Sequence, residues 1–502
     1  MLSAGFRAET EYRLVCGEVK MNDMQLEMNF EKKGYAFQQQ LEAGNFVLLI
    51  ENSSPGRDND PGASAGRLAA LEETVLGIKE LHTALAITDC YANISSWRAA
   101  EYAAGLSPEN RDRHVIYLSG RNSTAAEVND LVQLAKNANL RNIVTVSGSK
   151  VPGEGFKETR RRPFTESIAS LQMLQQGDFY CGTTVNPYQY TPFSLMAQYY
   201  KLNKKFRNGA AFGVVQAGWD MVKLQSLLWY MRNQDLYIPM IARLIWLTPD
   251  KVERILAGEY PGITISRDFQ KILDKELRYS YNQFEAAQLR RLELQAAGLR
   301  LLGFSGIQLA GAELPGRAKI AAERIAGALQ EFTTFEHWLE EYNSYLARTE
   351  MAPFWRSFYL FDRTLNRPYP QDEPPVANDM GQPQVSRMEK GRYYLRKFLF
   401  HRADQQVPES AFLLKKSVAL CRGNCSACLL PQCEYVCPRN CPKGLVDGPC
   451  GGVTPQGYCE VNPAQECRHC KIVRLAHWRG TLPKLEYQTL NQGNSPDKTK
   501  EE

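Results

Sequence analysis

FVLLIENSSPG, residues 46–56, decides how the chain is read. Five apolar residues are too few for a helix, and they run into Glu51 and a polar turn closed by Pro55 and Gly56. That is a buried strand carrying a carboxylate at its C-terminal end. Outward from it the pattern repeats. AALEETVLGIKELHTA (69–84) suits a helix, LAITD (85–89) a strand, AAEYAAGL (99–106) a helix and HVIYLSG (114–120) a strand; AAEVNDLVQLAKNANL (125–140) and NIVTVSG (142–148) repeat the pair. Alternation of this kind predicts parallel strands joined by crossover helices.

Past a basic loop at Lys157–Arg162 the rhythm continues through DFYCGTTVNP, a helix to Lys205, AAFGVVQAG, a helix at Met221–Arg232, IPMIARLIWL, a helix at Asn282–Leu301 and GFSGIQLAG. Eight strand-helix units over Gly44–Ile325 predict an α/β fold of the (β/α)8 TIM type, ahead of a doubly wound open sheet, with the chemistry at the C-terminal strand ends. The expected organisation is an N-terminal extension (1–40), the barrel (41–325), a helical and Pro-rich connector (326–410), a small cysteine-rich metal-binding domain (411–485) and a disordered tail (486–502). The connector holds FEHWLEEYNSYLA, FWRSFYLF and RPYPQDEPPVANDMGQP, the last typical of an extended linker.

Charge says little about function. The 502 residues carry 60 basic and 55 acidic side chains, net +5, which argues against nucleic acid or an anionic membrane as the main partner. The N-terminal MLSAGFRAETEYR is charged where a signal peptide is apolar, and no stretch approaches the ~18 apolar residues of a membrane span. The expectation is a cytoplasmic protein, with a homo-oligomer left open. Thiols stay reduced in that compartment, so clustered cysteines predict metal rather than disulfides.

Ten of the 13 cysteines fall in one window: Cys421, Cys425, Cys428, Cys433, Cys437, Cys441, Cys450, Cys459, Cys467 and Cys470. Thiolates at such spacing repel one another unless a shared ion offsets their charge. Cys425/Cys428 and Cys467/Cys470 form Cys-x2-Cys pairs suited to zinc. The run from Cys425 to Cys437-Pro438 approaches the ferredoxin pattern that ligates 4Fe-4S clusters, and ten thiols allow two four-cysteine sites. His469 and His477 are further candidate ligands.

CPKGLVDGPCGG (441–452), GYCEV (457–461) and CRHC (467–470) resemble the C-terminal domain associated with methylenetetrahydrofolate reductases of anaerobes and acetogens, here fused to the barrel. More weakly, FVLLIENSSP, ITDCYAN, LSGRN, NIVTVSGSKVPGEG, TTVNP and KKFRNGAAFGVVQAGWD resemble segments of the reductase barrel. The resemblance implies reduction of 5,10-methylenetetrahydrofolate to 5-methyltetrahydrofolate by a flavin (FMN or FAD). It also implies electrons exchanged through an iron-sulfur domain with a protein partner such as ferredoxin or a diaphorase-like subunit.

On that resemblance Glu51 is the acid that protonates N10, with a pKa raised by partial desolvation. Gln216 orients the pterin through an amide that both donates and accepts, and Asp220 supports the same pocket or caps the helix after it. Lys205 neutralises flavin phosphate, while Tyr117, Gly148, Ser149 and Asn186 contact the flavin. The chain departs from the family in having Ser147-Gly148-Ser149 where an aspartate commonly ends the flavin loop, and Tyr117 and Gln308 where relatives carry histidine. Two other readings are a non-redox folate- or corrinoid-binding protein stapled by zinc, and a pteridine-dependent methyltransferase barrel.

Overall fold

A computed structural model describes residues 35–90, 95–348, 385–400, 417–418 and 428–490. The eight predicted strands are all present: β1 (Val47–Ser53), β2 (His82–Thr88), β3 (Val115–Ser119), β4 (Asn142–Val146), β5 (Tyr180–Val185), β6 (Phe212–Val215), β7 (Met240–Ile245) and β8 (Gly306–Ala310). They pair in parallel in sequence order, and β8 returns to β1 to close the barrel. One boundary differs from the sequence reading. The first helix runs Pro61–Gly77, and His82–Ala84, expected in it, opens β2; Asp60 caps the helix through the amides of Gly62 and Ala63, with Pro61 at its first position.

Side-chain alternation along each strand sets what faces the barrel axis. In β1, Val47 and Leu49 belong to the interior cluster, while Leu48 and Ile50 pack outward against the helices. Glu51 therefore follows Val47 and Leu49 on the inward side. The same count turns Tyr117 inward after Val115, Gln216 after Val214, and Arg243 after Ile241. The foot of the barrel is closed by a helix at Ala36–Glu42, whose Phe37 meets Phe212 edge-on at 5.4 Å and Tyr180 at 6.2 Å.

The connector is not all linker. Phe335–Arg348 is helical, and Trp338 is fully buried against the barrel helix Tyr281–Leu302, donating its ring N–H to the Leu294 carbonyl at 2.7 Å. FWRSFYLF, the whole Pro-rich stretch and the last twelve residues lie outside the described residues. Residues 428–490 fold as loops followed by helices Arg468–Arg479 and Leu482–Tyr487, both packed on the barrel helix Pro192–Arg207. Barrel and cysteine module together form a single compact unit from Tyr35 onward.

Candidate active site at the barrel mouth

The C-terminal strand ends surround a cavity of about 220 Å3 whose floor is a polar cluster from four strands and whose far wall is the module segment Pro449–Gly452. At the floor, Glu51 accepts two hydrogen bonds from Arg243, Nε to Oε2 and Nη2 to Oε1, both at 2.6 Å. Gln308 donates to Oε2 at 2.7 Å, and Tyr117 donates its hydroxyl to Gln308 Oε1 at 2.7 Å. Register explains the convergence: Gln308 is paired with Leu49 of β1 on one side and with Arg243 of β7 on the other.

The expected raised pKa of Glu51 is not found. Burial pushes the carboxyl up, but the Arg243 charge and the bonds from Arg243 and Gln308 outweigh it and hold Glu51 below the usual glutamate range. The sequence reading missed Arg243, although a lone arginine in the apolar run MIARLI is the signal of an inward-facing charge. It also passed over Asp89, which lines the cavity at the end of β2, accepts from the Ala99 amide at 2.7 Å, and has its pKa raised by burial in spite of Arg98.

Gln216 lines the cavity, but its amide oxygen is taken by Arg243 Nη1 and the Ala217 amide, both at 3.0 Å. Only its donor pole is left for a ligand. Asp220 is outside the cavity lining; it caps the helix Met221–Asn233 through the Val222 amide and accepts from the Tyr190 hydroxyl at 2.9 Å. Of the two readings offered for Asp220, the cap is the one realised.

Among the expected flavin contacts, Tyr117, Gly148, Ser149, Asn186 and Lys205 all line the cavity. Two are engaged elsewhere. Asn186 donates to the carbonyls of Gly451 at 2.7 Å and Gly262 at 3.2 Å, while its oxygen accepts from the Tyr188 amide. Gly148 has φ +82°, a Cβ there would sit 2.4 Å from Cβ of Arg121, and its carbonyl accepts from Lys443 at 2.9 Å. Both residues, besides lining the cavity, fasten the module. Lys205 is different. It is buried, donates to the Thr184 carbonyl at 2.6 Å, and has no carboxylate partner among the described residues. Burial, with the neighbouring Lys201 charge, pushes its pKa down to about 7. A buried ammonium without a counter-ion suits an anionic group in the cavity, so Lys205 fits a flavin phosphate.

The module is held by two buried ion pairs that the sequence did not reveal. Lys201 meets Glu166 at 2.6 Å, and Glu166 also accepts from the Val446 and Asp447 amides. Lys443 meets Glu460 at 2.5 Å, and Glu460 accepts from the Lys150 amide at 2.6 Å. Gln198 donates to the Cys450 carbonyl at 2.9 Å. Apart from the two ion pairs themselves, Lys201–Glu166 at 35 positions and Lys443–Glu460 at 17, every one of these contacts joins residues 250 or more positions apart.

The cysteines fall into two neighbourhoods. Burial and then the Cys467 charge push Cys441 up to about 11, with Cys459 adding to it; burial raises Cys459, with Cys467 adding to it, and the hydrogen bond with Cys470 raises Cys467. Cys428 and Cys437 pack beside Leu430 and Tyr435 in the second, and Cys437 also acts on Cys433. Cys450 adjoins the first group, feeling the Cys441 and Cys467 charges, and it also lines the barrel cavity and donates to Glu460 Oε2 at 3.2 Å. Cys421 and Cys425 lie outside the described residues. His469 has its Nε2 bonded to the Leu445 carbonyl, and burial pushes its pKa down to about 3. His477 packs against Phe193. The donor chemistry suits thiolate-bound metal, yet among the described residues no three His, Cys, Asp or Glu side chains converge to hold one.

Residues 401–494 match the family described as methylene-tetrahydrofolate reductase C terminal, which bears out the resemblance carried by CPKGLVDGPCGG. No curated protein matches the chain. Solved structures of similar fold include an uncharacterized protein from Clostridium thermocellum that binds two copies of 5-methyl-5,6,7,8-tetrahydrofolic acid, 14% identical over 58% of this chain and 99% of that one, with a TM-score of 0.43. Another is the thiamine phosphate pyrophosphorylase of Pyrococcus furiosus, 11% identical over 58% and 99%, TM-score 0.29. Among the described residues no helix is long and apolar enough to cross a membrane.

Proposed function

We propose that the chain is a flavin-dependent reductase that converts 5,10-methylenetetrahydrofolate to 5-methyltetrahydrofolate, with electrons exchanged through its cysteine module and a protein partner. One observation carries the reading: a segment of the reductase-type C-terminal module, Pro449–Gly452, forms a wall of the barrel's strand-end cavity. The module and the barrel chemistry thus share one site.

The reaction delivers a hydride to the bridging methylene carbon, breaks its bond to N10 and places a proton on N10. Flavin, when bound, supplies the hydride, with Lys205 balancing its phosphate. The chain's own residues handle orientation and the proton. Gln216 offers its amide N–H to the pterin. Glu51 rests ionised under Arg243; a substrate that displaces the guanidinium leaves burial as the main influence, which carries the carboxyl toward the protonated form that N10 requires. No step is assigned to a metal, because the described thiols do not close a ligand set; iron-sulfur clusters are proposed on the ten-cysteine pattern, with zinc as the alternative.

A second reading is a folate-binding barrel without redox work. The clamped Glu51 and the Ser147-Gly148-Ser149 loop, which lacks an acid, favour it. Anaerobic purification with a visible spectrum, flavin, iron and zinc quantitation, and viologen-linked turnover separates the two. Flavin absorbance, iron and turnover are expected; zinc alone with no flavin and no turnover would sink the reductase reading.

A further inference from the structure

The helix Arg387–Phe400 lies between the outer cysteines and solvent. Its inner side buries Tyr393 and Phe400 against Leu430 and Tyr435, in the cluster that also holds Cys428 and Cys437. Arg396 ties it down by donating to the carbonyls of Val418 at 3.0 Å and Tyr435 at 3.2 Å. Its outer side is of another kind. Met388 is 65% exposed, Tyr394 50%, Leu395 51% and Phe398 77%, a concentration of large apolar side chains unusual for a free surface.

Positive charge surrounds them. The helix carries five basic residues and one acid, Glu389, and that acid is already spent on Arg474 at 2.7 Å and Lys471 at 3.0 Å. On a 100° helical wheel, Met388, Leu395 and Phe398 fall together, with Arg392 on one flank and Lys390 and Lys397 on the other. Arg396 has its pKa lowered by burial first and then by the nearby Arg468 and Arg392 charges, with Cys437 opposing them. Aromatic, Met and Arg side chains inside a charged rim are the composition of a protein interface, and the rim's sign selects an acidic partner.

We propose that the outer face of this helix is the docking surface for a small acidic electron-carrier protein; the electron-carrying part rests on the reductase reading, the acidic partner on the charge. An anionic membrane is the less favoured occupant. A helix lying in a bilayer interface is held there by lipid alone, whereas this one is fixed to the module through Tyr393, Phe400 and Arg396.

The test uses the full-length protein, purified anaerobically, with an acidic two-cluster ferredoxin as probe. Binding is measured at low and high salt for the parent, for Arg392→Glu/Lys397→Glu and for Leu395→Ser/Phe398→Ser, with circular dichroism as the folding control and viologen-linked turnover in parallel. The parent should bind in a salt-sensitive way, and the charge reversal should weaken binding by roughly tenfold or more, with viologen turnover unchanged in both variants. Equal affinity for parent and both variants would overturn the proposal. So would absence of ferredoxin binding, including the case where the parent sediments with phosphatidylserine vesicles instead. Ferredoxin binding lost in the variants, alongside a parent with no viologen turnover, supports the surface and refutes the reductase reading.

Discussion

Replacing Arg243 with Met strips the guanidinium from Glu51 while leaving the carboxyl buried at 8% side-chain exposure. Removing one member of a buried ion pair costs about 3–5 kcal/mol. Arg243 is itself 21% exposed toward the cavity, which allows water to soften the loss, so about 3 kcal/mol is expected at neutral pH. The pH dependence carries the diagnosis. In the parent, Glu51 has a folded pKa below its unfolded value near ~4.3, so it contributes stability above that value and loses it as pH falls through the folded pKa. In the variant burial is opposed only by the Gln308 bond and the Lys251 charge, so the folded pKa is expected above the unfolded one, and a penalty grows as pH rises from ~4.3. Both effects widen the gap between parent and variant with rising pH. Urea unfolding at about pH 5 and about pH 8 should show the larger difference at the higher pH. The pair Arg243→Met/Glu51→Gln should recover at least about half of the loss, because the buried charge is gone. A difference independent of pH, or no recovery in the double variant, would refute the assignment of Glu51 as a carboxylate held ionised by Arg243.

Three further outcomes follow from the same geometry. Lys443→Met leaves Glu460 charged and buried and frees the Gly148 carbonyl, so melting should drop by an amount equivalent to about 3 kcal/mol, mostly recovered with Glu460→Gln; no recovery would mean the pair is not the anchor. Lys205, with its pKa pushed to about 7, binds an anion only when charged, so FMN affinity should fall by up to about tenfold per pH unit above that value; Lys205→Met should flatten the profile, and an unchanged slope would exclude Lys205 as the phosphate partner. Gly262→Ala puts a Cβ 2.2 Å from the Gly451 carbonyl oxygen at φ +79°, at a cost of about 1–3 kcal/mol read by thermal unfolding; a neutral result would show that the roof is not closed there.

The barrel was legible because parallel strands buried on both faces leave short continuous apolar runs, and each run here ends in a polar turn. The helix boundary at Gly77 was not, since LHTA continues the apolar texture across a helix-to-strand boundary that only strand pairing fixes. Glu51 and Gln308 were visible as polar interruptions, and Arg243 could have been found by the same rule. Its effect on Glu51 could not, because their meeting depends on β8 closing onto β1 across the whole length of the barrel. The module contacts of Asn186 and Gly148 were missed for a related reason. Their positions at strand ends are right for a ligand, but their partners Gly451 and Lys443 come from a module that sequence patterning treats as a separate domain.

Those contacts show how the module is held. The loop Lys443–Gly452 has no regular secondary structure, yet Lys443, Val446 and Asp447 are buried, so its backbone groups need partners that a loop cannot supply to itself. The barrel supplies them from side chains: Glu166 to the amides of Val446 and Asp447, Lys201 to the Gly448 carbonyl, Gln198 to Cys450 and Asn186 to Gly451. Those side chains sit on or beside barrel elements: Gln198 and Lys201 on the helix Pro192–Arg207, Glu166 just before the helix Ser167–Leu174 and Asn186 just after β5. The loop conformation that completes the cavity is therefore a consequence of the barrel surface. A site divided in this way couples the cysteine module to the barrel mouth, since any shift of Pro449–Gly452 changes the cavity wall and the Asn186 and Gln198 contacts together.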